Sequence, residues 1–287
     1  MIKIPLVLLA AGLSALVCYF TPVNGQYWAY VPLGIAYFLG FIVAFVLVFF
    51  LIATLLTIGI KKKKTPQLYG NKWRKRYSAF TRICCSVFGI RVKVFGLEKL
   101  PEETNYLIVQ NHLSNVDPIL TDVIFRKKRL IFVSKASLFK IPFFGPYLHG
   151  VGYLKLHRDS SEEDLQEFVR GMRWMEEEQC SIGVYPEGTR NKKYPQELLG
   201  PFKPGCFKLA THCQKPIVVT IVRGTEKVKK NVIFQRHNVQ FEVVDVIEYD
   251  RYKDLSPEQL SDLVRNEMLE ALVSEPSPSE FCYRKTY

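Results

Sequence analysis

His112 and Asp117, five residues apart in the stretch NHLSNVDP (111–118), are the side chains of this chain best suited to moving a proton. An imidazole titrates near neutrality and can take the proton of a hydroxyl. A carboxylate folded back onto it fixes the tautomer and raises its basicity. The apolar run at 106–110 predicts a strand, which puts His112 at a strand's carboxyl end, where α/β proteins hold their ligands. Asp117-Pro118 reads as a helix N-cap followed by proline at the first helical position. A solvated loop pair with a structural cap fits the same residues, and the spacing alone leaves both readings open.

A second patch, VYPEGTR (184–190), also follows a buried run. Gly188 allows backbone amides to turn toward a ligand, and Arg190 offers a planar fork suited to phosphate. A capped turn with a surface salt bridge is the plainer alternative. His149, His157, His212 and His237 have no carboxylate at a useful spacing and read as structural. No G-x-S-x-G occurs, so the usual serine-hydrolase nucleophile is lacking. The seven cysteines form no C-x-x-C pair and are odd in number, which fits reduced thiols in a cytoplasmic setting and neither a disulfide nor a zinc framework.

The elements that must position these patches alternate in type. Strand-like runs fall at 90–95, 106–110, 130–133, 151–156, 181–185, 217–222 and 239–247, and helical patterns at 118–125 and 205–214. Ser160 with Glu163 makes a capping box for a helix whose Leu165, Phe168, Met172 and Met175 share one face, and Ser256-Pro257 with Gln259 starts a last helix. This alternation predicts an α/β domain with a central, mostly covered sheet flanked by helices.

Ahead of that domain, Lys3 is the only charged residue in 1–60, and two hydrophobic runs, 4–20 and 31–60, predict a two-helix membrane anchor. The net charge is +12, but residues 61–82 hold nine basic side chains and no acidic one. Over 83–287, 29 basic residues face 27 acidic ones, a net of only +2. A basic block beside a hydrophobic span points to anionic headgroups and to the cytoplasmic side of the membrane, and it argues against nucleic acid. Trp73, Tyr77, Phe80, Cys84 and Val87 recur at helical spacing with cations alongside. Residues 61–90 are therefore expected to form a basic amphipathic helix on the headgroups, although the same stripe could pack into the domain. The domain proper is expected over 91–275, with 276–287 as a frayed tail.

Taken together, NHLSNVDP, GVGYLKLHRD (150–159), YPEGTR (185–190) and FKPG (202–205), with SKASLFKIPFFG (134–145) between, resemble the glycerolipid acyltransferase family that includes lysophosphatidate (1-acyl-glycerol-3-phosphate) acyltransferase. The likeness covers about residues 74–250. The family's fourth block is matched only loosely by KPIVVTIV (215–222), where Thr220 stands in place of an expected proline. The resemblance implies that His112 is a general base, oriented by Asp117, for direct attack of an acceptor hydroxyl on an acyl thioester. It implies Arg158 and Arg190 as phosphate contacts, with Lys135 and Lys203 as weaker ones, and Glu187, Gly188 and Thr189 in the acceptor site. Backbone amides near Asn111 and Gly188 would face the oxyanion. Leu138, Phe139 and the 141–147 stretch would line an acyl tunnel or simply pack in the core. No cofactor or metal is expected beyond acyl-CoA or acyl-carrier protein as co-substrate. The expected partners are the bilayer and lysophosphatidate. Three other readings stay open: the same reaction on another acceptor such as glycerol 3-phosphate, a membrane-anchored metallohydrolase with His112, Asp117 and Glu187 as ligands, and a non-catalytic membrane-binding protein that keeps the fold.

Overall fold

The computed structural model describes residues 3–21, 29–55, 57, 68, 71–126, 128–142, 144–157, 162–229, 236–274 and 283–286. Arg158, the lysines at 61–64 and the capping box at Ser160 lie outside the described residues. The chain divides into two compact units, 1–60 and 61–287.

The first unit pairs α1 (Lys3–Phe20) with α2 (Tyr30–Leu55). Small side chains let the two helices approach: Ala10 is buried, and the Ser14 hydroxyl donates to the Gly34 carbonyl at 2.7 Å. Over Tyr30–Ile52, 23 residues, α2 is long and apolar enough to cross a membrane, whereas the apolar part of α1, Val7–Phe20, is shorter. Of the two expected spans, one therefore has the length of a crossing helix.

In the second unit, α3 (Asn71–Val87) leads into β1 (Ile90–Phe95) and β2 (Leu107–Gln110). There follow α4 (Asp117–Ile124), β3 (Leu130–Lys135), α5 (Phe144–Val151), β4 (Leu154–Leu156), α6 (Glu162–Glu176) and β5 (Ser181–Val184). The last elements are α7 (Lys208–Cys213), β6 (Ile217–Arg223), β7 (His237–Ile247), α8 (Tyr249–Tyr252), α9 (Pro257–Val273) and a short β8 (Tyr283–Thr286). The strands lie in the order β4-β3-β5-β2-β6-β7-β1-β8. From β4 to β6 they are parallel, so the carboxyl ends of β4, β3, β5, β2 and β6 share one edge. β7 is antiparallel to β6, and β1 runs parallel to β7. Every residue of β2 and β5 is buried, as strands covered by helices on both faces must be. The expected covered sheet flanked by helices is what forms.

Four features depart from the expectation. Residue 151, read as the start of a strand, ends α5, and the strand begins at Leu154. The aromatic stripe of α3 packs into the domain: Tyr77 is buried with its hydroxyl 2.9 Å from that of Tyr153, Phe80 stacks on Tyr147 at 4.8 Å, and Thr81 donates to Asp122 at 3.1 Å. Burying aromatic area in the protein removes it from the headgroups and leaves Lys75, Arg82 and Ile83 on the outer side. On α6 the expected face is inside only toward its end, with Met175 buried and Phe168 and Met172 half-buried; Leu165 is exposed with Val169, and Asp164, Glu167, Arg170 and Trp174 are inside. Its carboxylates accept from strand amides, Glu167 from Lys155 and Asp164 from His157, and Glu167 pairs with Arg170. The C-terminal segment expected as a tail contributes β8, antiparallel to β1.

Five buried or half-buried thiols, Cys84, Cys85, Cys180, Cys206 and Cys213, are free, and burial pushes them up to about 11 or 12. They act as small hydrophobes.

Gly183 in β5 lies in register with Phe132, whose ring fills the space a side chain would need: a Cβ there would stand 2.6 Å from Phe132 Cδ1. Phe132 stacks in turn on Tyr185 at 5.5 Å. Gly183→Ala should therefore cost about 1–3 kcal/mol by overpacking. Urea unfolding with an unchanged midpoint would show that this layer has slack.

Candidate active site

β2 and β5 end side by side, and the loops that leave them carry the first and third motifs. After β2 the chain makes a tight turn in which the Asp117 amide bonds the Ser114 carbonyl at 3.2 Å. That turn brings Asp117 back under the loop. Its Oδ2 accepts from the Leu113 amide (2.7 Å), the Ser114 amide (2.7 Å) and His112 Nδ1 (2.9 Å). Asp117 is fully buried, while the His112 side chain keeps 17% of its surface open. Asp117 is also the first residue of α4, not its cap. The preceding Val116 is helical and makes no side-chain cap, so the expected N-cap is corrected: the carboxylate satisfies loop amides before the helix.

This geometry fixes the tautomer. A carboxylate only accepts, so Nδ1 carries the proton and the Nε2 lone pair is free. Among the described residues nothing bonds Nε2. The ring lies against Tyr185, centroids 4.1 Å apart and planes 22° apart, with Phe132 behind. Tyr185 is a residue the sequence reading quoted without assigning it a role. Burial, with Asp117 and Tyr153 nearby, holds its phenol well above the ordinary value, so it stays neutral beside the imidazole.

Glu187 braces the same loop. Its Oε1 accepts from the His112 amide at 2.9 Å and its Oε2 from the Gly200 amide at 2.8 Å, tying three loops together. Burial raises its carboxyl above the usual range although both amides pull the other way. Each oxygen is bonded to a backbone amide, so Glu187 braces the site, and each keeps a second lone pair. Among the described residues no three His, Cys, Asp or Glu side chains gather as a metal site would require.

Asn111 is likewise structural through its side chain, which donates to the Val222 carbonyl (3.0 Å) and accepts from the Val222 amide (2.7 Å), clasping β2 to β6. These bonds use one of the two side-chain N–H donors of Asn111. Thr220 is buried and donates to Val109 at 3.1 Å, so the residue standing where proline was expected stitches the same two strands.

The third motif turns at Gly188, whose amide bonds the Tyr185 carbonyl at 2.9 Å and whose φ of 65° lies in the left-handed region. The Lys203 side chain runs over it: a Cβ on Gly188 would meet Lys203 Cε at 3.0 Å. The Lys203 amide bonds the Pro186 carbonyl at 2.8 Å, and the Asn191 amide bonds the His112 carbonyl at 2.7 Å. Arg190, half-buried, thus sits beside the His112 loop and makes no ion pair among the described residues, while Thr189 is exposed. His112, Asp117, Glu187, Gly188, Arg190 and Lys203 are brought into one cluster. Lys135 lies at the end of β3 on the same edge, exposed and unconnected to it. Arg126, Lys128 and Arg129 precede β3 and so occupy the opposite edge. His157, expected to lack a carboxylate, pairs through Nδ1 with Asp164 on α6 at 3.1 Å, seven residues on in the chain.

The acyltransferase family profile matches residues 91–223. A Borreliella burgdorferi protein called 1-acyl-sn-glycerol-3-phosphate acyltransferase is 29% identical over 196 residues, 68% of this chain and 76% of that protein. One of the same name from Saccharomyces cerevisiae is 28% identical over 67% of this chain and 63% of its own length. The human 1-acyl-sn-glycerol-3-phosphate acyltransferase beta is 34% identical over half of each chain. The crystal structure of the Thermotoga maritima 1-acyl-sn-glycerophosphate acyltransferase, PlsC, superposes with a TM-score of 0.57 at 21% identity, covering 70% of this chain and 81% of that one.

The Glu187 brace has a direct readout. Glu187→Gln supplies one acceptor oxygen where two are used, and losing a buried bond of this kind costs about 1–3 kcal/mol. Amide hydrogen exchange at His112 or Gly200 should speed up in the folded variant. Unchanged exchange at both would place the stiffness of the loop elsewhere.

Proposed function

We propose that this chain, whose residues 91–223 match the acyltransferase family profile, transfers a fatty acyl group from an acyl thioester to the free hydroxyl of 1-acyl-glycerol 3-phosphate, making phosphatidic acid. The observation that carries this reading is the His112–Asp117 pair at 2.9 Å, with Nδ1 committed and Nε2 open.

In the reaction, Nε2 takes the proton of the acceptor hydroxyl as its oxygen attacks the thioester carbonyl. Asp117 steadies the imidazolium that forms. The tetrahedral intermediate collapses, the carbon–sulfur bond breaks, and the imidazolium returns its proton to the leaving thiolate. No acyl-enzyme is required, and the neutral Tyr185 ring beneath the imidazole holds its plane. Backbone amides at the Gly188 turn serve the oxyanion, as glycine in a left-handed turn exposes its N–H neighbours. Arg190, with Lys203 over Gly188, holds the acceptor phosphate, and the family resemblance adds Arg158 as a further contact. The donor is a thioester of coenzyme A or of a carrier protein.

Lysophosphatidate and phosphatidic acid reside in the bilayer, and α2 has the length to anchor the enzyme there, with α1 packed beside it as the second anchor helix. The lysines at 61–64 set the catalytic unit on the cytoplasmic face.

Thiol release that depends on added lysophosphatidate and ignores chelator tests the reaction. It would also separate transfer from metal-assisted hydrolysis. His112→Ala should lower the rate by about 10² to 10⁴-fold, the ordinary worth of general-base catalysis, with Asp117→Asn costing less. A folded His112→Ala protein that keeps more than about a tenth of the rate would remove the histidine from its role. Arg190→Ala should raise the KM for lysophosphatidate about tenfold or more, as loss of a charge-assisted pair of about 1.5–3 kcal/mol requires, with little change for the donor. Movement of the donor constant alone would reassign Arg190.

A further inference from the structure

A second basic cluster stands at the other end of the sheet, where β3 begins. Around Leu130, the first residue of that strand, lies a notch of about 20 Å³ lined by Arg74, Asp122, Arg126, Lys128 and Arg129. Six residues of β3 separate it from the carboxyl edge. At about 3.3 Å per residue that is about 20 Å, and the notch shares no side chain with the His112 cluster.

Three parts of the chain build it. The first turn of α3 supplies Arg74, α4 supplies Asp122, and the loop between α4 and β3 supplies the rest. Arg74 donates through Nη2 to the Arg126 carbonyl at 2.6 Å, which fastens the helix to that loop. Lys128 donates through Nζ to the Glu102 carbonyl and keeps two further N–H donors. Arg126, exposed, and Arg129, half-buried, make no side-chain hydrogen bond or ion pair among the described residues. The one acid among the described residues of the lining is Asp122, which accepts from Thr81 at 3.1 Å. Burial pushes its carboxyl up to about 7, against the pull of Thr81 and Arg74, so it carries only part of its charge at neutral pH. Four cations thus face one partial anion. Burial and the neighbouring Arg129 hold the Arg74 guanidinium below its ordinary value, the mark of a cluster short of negative charge.

Size and shape select the ligand. A volume of this order holds about one water-sized group, so a ligand inserts a single oxygen and leaves its remainder outside, against the exposed Arg126. A soluble nucleotide needs a recess of about 300–1,000 Å³. Guanidinium forks beside an ammonium match phosphate, and a phosphate presented from outside by a surface is what a phospholipid offers. The chain order agrees: Arg74 lies in the first turn of the helix that follows α2, and residues 61–82 hold nine basic side chains and no acidic one.

We propose that this notch binds the phosphate of an anionic phospholipid headgroup, at a lipid site separate from the acceptor site; the proposal rests on the reading of α2 as a membrane helix. Charge then holds α3 and the α4–β3 loop at the headgroups, while the aromatic stripe of α3 stays packed in the domain.

The test uses the full-length protein in a neutral detergent, with Arg126→Gln/Arg129→Gln as one variant and Arg126→Gln/Lys128→Gln as a second. Binding of short-chain phosphatidylglycerol, short-chain phosphatidylcholine and inorganic phosphate is followed by calorimetry. Wild type should bind phosphatidylglycerol about tenfold or more tightly than phosphatidylcholine, whose choline brings its own cation among the arginines. Each variant should weaken phosphatidylglycerol binding about tenfold, as loss of charge-assisted contacts implies. The kcat and the KM for lysophosphatidate should stay within about twofold of wild type, since no reacting atom is touched. Phosphatidylglycerol binding unchanged in both variants, or a lysophosphatidate constant raised in both, would overturn the site. Inorganic phosphate that binds wild type as tightly as phosphatidylglycerol and displaces it would overturn the lipid as its source. Phosphatidylglycerol binding that needs Arg126 in a chain that alkaline carbonate strips from membranes would uphold the notch and sink the membrane helix instead.

Discussion

One carboxylate oxygen, Oδ2 of Asp117, accepts from three donors, and the arrangement of the site follows from that junction. A fully buried carboxylate is costly unless its lost water is replaced, and here two backbone amides and an imidazole replace it. The amides come from the residues directly after His112, so satisfying the charge also curls the loop that carries the base. Loop shape and imidazole orientation are consequences of the same three bonds. A change at Asp117 therefore acts on backbone and base together, and asparagine, which keeps an accepting oxygen, is the milder replacement.

That junction is held from outside by further hydrogen bonds. Glu187 ties the His112 amide to Gly200, and Asn111 ties the end of β2 to β6. Beneath, Phe132, Tyr185 and His112 form a stacked column that rises from β3 through β5 to the base, and it stands where it does because Gly183 leaves room for the Phe132 ring. The parallel strands contribute the one feature common to all these parts, a shared carboxyl edge.

Much of this was legible in the sequence because strands buried on both faces are short apolar runs, and their ends coincide with the motif residues. His112, Asp117, Gly188 and Arg190 could be named from residue type and spacing, and the resemblance to a family joined two patches separated by some seventy residues of chain. What could not be read is pairing across that distance. The brace made by Glu187 has no sequence signature, because its partners, the His112 and Gly200 amides, are backbone groups. The Asp117-Pro118 pair carried the mark of a helix cap, and only the turn closed by the Asp117 amide sends the carboxylate the other way. The stripe on α3 had the periodicity of an interfacial helix, and periodicity does not say whether lipid or protein covers it. On α6 the polar face is inside because strand amides require acceptors there, a demand that hydrophobic patterning misses.

The tautomer of His112 is where these bonds and the chemistry meet. In substrate-free protein labelled with ¹⁵N-histidine, near neutral pH, NMR of the His112 ring should show Nδ1 protonated and Nε2 bare, and Asp117→Ala should lose that preference. Finding the proton on Nε2 in the wild-type protein, or an Nδ1 signal indifferent to loss of the carboxylate, would contradict the role assigned to the Asp117 junction.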